Sequence, residues 1–162
     1  MLVNFEELEK TARVWIYQSN RAFTKNELVE ICTIVEGFIT NWQRHGEDLK
    51  ASYTIKYNQF LVLAVDENFN NVSGCSIDAS VNLIKKLENE FSADLTNKLN
   101  ISFKDANNIN IVSMSDFQKY VKLEKITSNT IVFNNMVTTK EGFEQNWEVT
   151  ADKSWHKRFL VQ

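Results

Sequence analysis

The sequence predicts an α+β fold: a ferredoxin-like (split βαβ) core with a mainly antiparallel sheet, extended by a C-terminal strand and helices. Three observations carry this. Strand-like and helix-like periods follow one another in the order β-α-β-β-α-β up to residue 104. Residues 61–65, Leu-Val-Leu-Ala-Val, form a continuous apolar run, as in a strand covered on both faces. The length of 162 residues holds one domain and is short for two, so residues 1–162 read as a single globular α+β domain.

The elements follow in order. Asn4 with Glu7 suggests a cap for a short helix over 5–10. Residues 13–19 form a first strand, with Val14 and Ile16 on one face and Trp15 and Tyr17 on the other. Thr24 and Glu27 make a capping box that opens a helix over about 25–44. Leu28, Ile31, Val35, Phe38 and Trp42 give it one apolar stripe, with Cys32 packed beside it. His45-Gly46 closes the helix as a left-handed cap. Residues 50–57 alternate Ala51, Tyr53, Ile55 and Tyr57 with polar residues. Asn58-Gln59 then turns the chain into strand 60–65, making a hairpin. The polar loop 66–73 lies in water.

A helix opens near Gly74-Cys75-Ser76-Ile77-Asp78 and runs to Phe91, with Ile77, Val81, Ile84, Leu87 and Phe91 inward. Beyond it come a short helix over 92–99 and a hairpin of 101–104 with 109–112. Ser115 and Gln118 box a helix reaching about residue 124. A strand over 130–133 follows, and Thr138 with Glu141 caps a last helix to about 147. With no proline and four glycines, turns must rely on Asn, Asp and Ser.

Composition excludes several classes. A net charge of −3 and a pI near 5.5 argue against a nucleic-acid phosphate binder. Two cysteines provide no disulfide framework. The acidic N-terminus is unlike a signal peptide, and no run approaches the ~18 apolar residues of a membrane span. The expected location is cytoplasmic.

The best place for a site is the start of the 74–91 helix. Unpaired backbone N–H groups and the positive helix end favour a thiolate and could stabilise an oxyanion. Cys75 is therefore the candidate nucleophile, His45 or His156 the candidate base, and Asp78 a group that could orient an imidazole while opposing a thiolate. The plainer reading makes Cys75 a small buried residue at a tight turn. Cys75, Asp78, His45 and His156 also offer metal-ligand types, but without the close paired spacing of a zinc site, so no metal or other cofactor is expected. A phosphate loop is ruled out, because the glycines at 37, 46, 74 and 142 cannot supply one. Trp147 and Trp155, in the less regular C-terminal region, pack the tail or anchor a partner.

Several segments resemble an uncharacterised family of short bacterial proteins of the Bacteroidetes type. They are residues 13–21 (Arg-Val-Trp-Ile-Tyr-Gln-Ser-Asn-Arg), Asn41-Trp42 with His45-Gly46, residues 74–80 (Gly-Cys-Ser-Ile-Asp-Ala-Ser), residues 129–135, and Asn146-Trp147-Glu148-Val149 with Ser154-Trp155-His156. Together they span nearly the whole chain. Members often carry the label "ABC transporter ATPase". This sequence contradicts that label, since it lacks a Walker A loop and Val72-Ser73-Gly74-Cys75 is only a fragment of an ABC signature. The resemblance implies a soluble bacterial protein and no particular activity.

The leading expectation is a non-enzymatic binding or protein-interaction module. Its contact surface would comprise Gly74, Cys75, Ser76, Asp78, Trp147, Trp155 and His156, and its partner a protein or small molecule. Edge-strand pairing into a homodimer is compatible with this reading. The alternative is a small cysteine-dependent hydrolase or transferase built on Cys75.

Overall fold

Alternation along the strands decides which side chains meet the helices. In the computed structural model, which describes residues 1–160, Arg13–Gln18 forms β1 and directs Trp15 and Tyr17 toward the first helical core. Helix α1 (Lys25–Thr40) opens on the expected capping box. Glu27 N donates to Thr24 Oγ1 at 3.2 Å, and Thr24 N donates to Glu27 Oε1 at 3.0 Å. Arg21 forks onto the same carboxylate at 2.9 and 2.7 Å. That pairing, with the Thr24 N–H, holds the Glu27 carboxyl down at about 2. Ile31, Val35 and Ile39 are buried.

The helix stops at Thr40, short of the expected end. His45-Gly46 is not its cap. It forms the turn of a small ribbon, β2 (Gln43–Arg44) with β3 (Glu47–Asp48). Both turn residues are left-handed, with φ of 51° and 84°, as a two-residue hairpin turn of the primed type requires.

β4 (Ala51–Lys56) and β5 (Phe60–Val65) form the expected hairpin, in register from Ala51↔Val65 to Lys56↔Phe60. Its left-handed residues are Tyr57 and Asn58, one position earlier than the sequence suggested. β1 pairs antiparallel with the other edge of β5, giving the order β1-β5-β4. All six β5 residues are buried, as the apolar run implied. Leu61, Leu63 and Val65 share a core with α1 and with α2 (Gly74–Phe91). In the loop before α2, Asp66 is not in water. It is buried, ion-paired to Lys50 at 3.5 Å, and accepts from Asn68 N at 3.0 Å.

Helix α2 buries Ile84, Leu87 and Phe91 as expected, but its inner face departs from the expected one in the first turns: Val81 is 39% exposed, whereas Ser76 and Ser80 are buried. Their hydroxyls donate to carbonyls of their own turn, Ser76 to Ser73 O at 2.9 Å and Ser80 to Ile77 O at 2.6 Å. Small side chains whose hydrogen bonds are closed locally can occupy the interior. Trp42 exploits the close approach: its Nε1 donates to Ser76 O at 2.8 Å, buried. Trp42→Phe is expected to cost about 1–2 kcal/mol in denaturant titration, through the lost bond and reduced ring volume.

The expected short helix over 92–99 does not form. Ser92 ends α2 in a left-handed conformation (φ 49°). Glu88 then accepts from Leu95 N at 2.9 Å and Thr96 Oγ1 at 3.1 Å, laying the chain along the helix end.

The chain divides into two compact units, residues 1–96 with 138–140, and 97–137 with 141 onward. In the first, Thr138–Lys140 lies along β1: Val14 N donates to Thr138 O at 2.9 Å and Lys140 N to Ala12 O at 2.8 Å. The expected fourth strand of the split βαβ pattern, residues 101–104, does not join this sheet.

It belongs instead to the second unit, as β6 (Asn100–Asp105), hairpinned with β7 (Asn108–Ser113). β8 (Ile131–Phe133) and β9 (Glu148–Thr150) complete an antiparallel sheet of order β7-β6-β8-β9. Helix α3 (Met114–Lys122) is capped by Ser113, not Ser115: Asp116 N donates to Ser113 Oγ at 3.2 Å. Helix α4 spans Lys140–Asn146, beginning later than Thr138. Phe103, Phe117, Val121, Ile126 and Val132 form the second core. The observed class is α+β, with antiparallel sheets and four helices among the described residues.

Candidate functional site

The start of α2 is built by its cap. Ser73 N donates to Ser76 Oγ at 2.6 Å, and Ser76 N donates to Ser73 Oγ at 3.2 Å. Both hydroxyls are thereby committed to structure. Cys75 is exposed rather than buried, because Ser76 and Ser80 define the inner face and Cys75 precedes them by a 100° step. Gly74 and Asp78 are also exposed. Among the described residues no hydrogen bond reaches Cys75 Sγ or either ring nitrogen of His45, which sits at the β2–β3 turn.

His156 lies in the second unit and is wholly buried. Its Nδ1 shares a 2.7 Å hydrogen bond with Ser154 Oγ. The ring stacks on Trp155 with centroids 3.9 Å apart and packs against Phe117 at 5.6 Å. Burial, and secondarily the Arg158 charge, lowers its pKa to about 4. The Nε2 atom of His156 and Nε1 of the half-buried Trp155 are both buried without a partner among the described residues.

Trp147 is core, against Phe133 at 4.8 Å and Phe143 at 4.9 Å, with Nε1 donating to Asn135 Oδ1 at 2.9 Å. Of the seven residues named as a contact surface, Gly74, Cys75 and Asp78 are exposed and Trp155 half-exposed, while Ser76, Trp147 and His156 are interior. Cys32 is half-buried. It neighbours Tyr53, whose OH donates to Glu36 Oε1 at 2.6 Å. Burial first, then hydrogen bonds to Cys32 and Glu36, raise that phenol's pKa.

Among the described residues, no group of three or more His, Cys, Asp or Glu could hold a metal ion. Likewise, no helix there is long and apolar enough to cross a membrane.

Sequence reasoning missed two features. One is Lys140, buried with its Nζ donating to Leu8 O at 2.8 Å and Glu6 O at 3.2 Å. The other is an open cleft of about 700 Å³ in the second unit. Phe103 and Val112 line it on the sheet, Tyr120 on α3, and Lys125 and Thr130 in the loop beyond. Asn110 on β7 also lines it, with its Nδ2 buried and unpartnered among the described residues. Asparagine reads as turn chemistry in this sequence, which hid the role of Asn110 on a strand. Comparison of the chain with family models, curated proteins and solved structures gave no match.

Proposed function

We propose that the chain is a non-enzymatic binding module, a cytoplasmic protein of the short bacterial family that its segments resemble. The observation behind this reading is the isolation of Cys75, the only exposed thiol among the described residues. Cys75 has neither a hydrogen-bonded imidazole nor free hydroxyls beside it, since Ser73 and Ser76 are tied to one another. A cysteine nucleophile needs a positioned base, and the base in turn an orienting group. The β1-β5-β4 order, with α1 and α2 sharing its core, supports a ferredoxin-like affinity for the first unit.

Turnover of p-nitrophenyl acetate and of an alkyl thioester tests the reading against the hydrolase alternative. Wild type and Cys75→Ala, both in a Cys32→Ser background, should give the same rate. A Cys75-dependent rate roughly a hundredfold above background would establish the enzyme instead.

Homodimerisation through a sheet edge fits the binding reading. The β4 edge is taken at Ala51, which bonds Met1 O at 3.1 Å and Val3 N at 3.0 Å. The uncharged edge strand β7 is the better candidate. Sedimentation velocity of the wild type should show a dimer, and a charge placed by Ile111→Lys should shift it to monomer. Monomeric wild type at all accessible concentrations would refute the assembly.

A further inference from the structure

We propose that the cleft of the second unit binds a small organic carboxylate with a flat apolar body. The inference deepens the binding-module reading, on which it rests, by naming a site and a ligand class. It begins with Asn110. Its Nδ2 is buried at the cleft without an acceptor among the described residues, whereas native folds pair nearly all such groups. A ligand that presents an oxygen lone pair would complete it.

Charge then narrows the ligand. Lys125 reaches over the Tyr120 ring, Nζ 5.7 Å from its centroid, and makes no ion pair among the described residues. Lys104, the other lining lysine, is committed to Glu148 at 3.2 Å. Asp105 at the rim adds a negative charge. One uncommitted cation beside one aspartate suits a monoanion and disfavours phosphate, which carries more charge at neutral pH. Thr130 can add a donor, because its Oγ1 accepts from Thr127 N at 2.9 Å and leaves the hydroxyl hydrogen available.

Shape supplies the apolar body. Phe103 and Val112 offer a nonpolar floor, and Phe103 meets Tyr120 edge-on at 6.3 Å. A flat group can rest there while its carboxylate faces Asn110 and Lys125. The cleft's size is ordinary for a small-molecule site.

The test is titration of the intact chain with sodium benzoate, followed by amide resonances that include the Asn110 side-chain pair. Acetate, benzyl alcohol and inorganic phosphate serve as comparators, lacking in turn the ring, the charge and the single-anion form. Benzoate should bind saturably, and about tenfold more tightly than each comparator. Lys125→Met, at an exposed position that leaves the fold intact, should weaken benzoate about tenfold and leave benzyl alcohol unchanged. Asn110→Ala should weaken it comparably. If that variant does not fold, Lys125→Met decides alone. Absence of saturable shifts at the cleft, or wild-type affinity in the variants, overturns the assignment. Either result leaves the binding-module reading standing, since that reading fails only on Cys75-dependent turnover.

Discussion

Lys140→Ala should lower the free energy of unfolding by about 3 kcal/mol in denaturant titration. The side chain is only 5% exposed, and its ammonium is held by backbone oxygens: Leu8 O at 2.8 Å and Glu6 O at 3.2 Å, with the Phe5 ring 5.5 Å from Nζ. These carbonyls lie in and just beyond the N-terminal 3-10 turn Phe5–Glu7. Truncation leaves them facing a void, and hydrogen bonds to a charged donor are worth about 1.5–3 kcal/mol each. Lys140→Met separates the effects by keeping most of the stem while removing the donor, and should recover about 1 kcal/mol of the loss. Hydrogen exchange should accelerate at residues 5–12 in both variants. A loss below about 0.5 kcal/mol for the alanine variant, the scale of an ordinary surface change, would show that the ammonium does not anchor this segment.

How much of this was legible beforehand depended on how local the cause was. The Thr24–Glu27 box, the β4–β5 hairpin and the burial of β5 are set by neighbouring residues, and they appear as read. Errors arose where two local codes compete. His45-Gly46 suits a helix end and a primed hairpin turn equally, and tertiary pairing of β2 with β3 chose the turn. On α2, period alone favoured Val81. The buried serines won because each hydroxyl is satisfied within its own turn.

Other outcomes were beyond local reading. Separation of β6 and β7 from the first sheet is a choice among non-local pairings, and Thr138–Lys140 takes the place beside β1. At the candidate site, the start of α2 at Gly74 was legible, whereas the exposure of Cys75 was not. The interior positions of Trp147 and His156 were not legible either, because no period runs through an irregular tail. The Asn110 cleft depends on cross-strand and loop geometry, which composition does not encode.

His156 should make the protein acid-sensitive in a defined window. In the unfolded chain its imidazole titrates near 6.5. In the fold, burial against Phe117 and Trp155, with the Arg158 charge as the lesser cause, lowers that to about 4. Between those values the unfolded chain binds a proton that the folded chain does not. Stability therefore rises with pH through the window: the contribution is complete above about 6.5 and is lost as pH falls toward about 4. Its full size is about 3 kcal/mol.

Glu27 adds a loss of the same sign at lower pH, because its carboxyl is held down at about 2 and protonates in the unfolded chain first. His156→Gln isolates the histidine. It should be less stable at pH 7, through disrupted packing and the altered Ser154 bond, yet show a flatter slope between pH 6.5 and 4 than the wild type. Arg158→Gln should raise the folded-state pKa and narrow the window from its acid side. Parallel slopes for wild type and His156→Gln would mean that the buried imidazole takes up its proton without unfolding, and would refute the linkage.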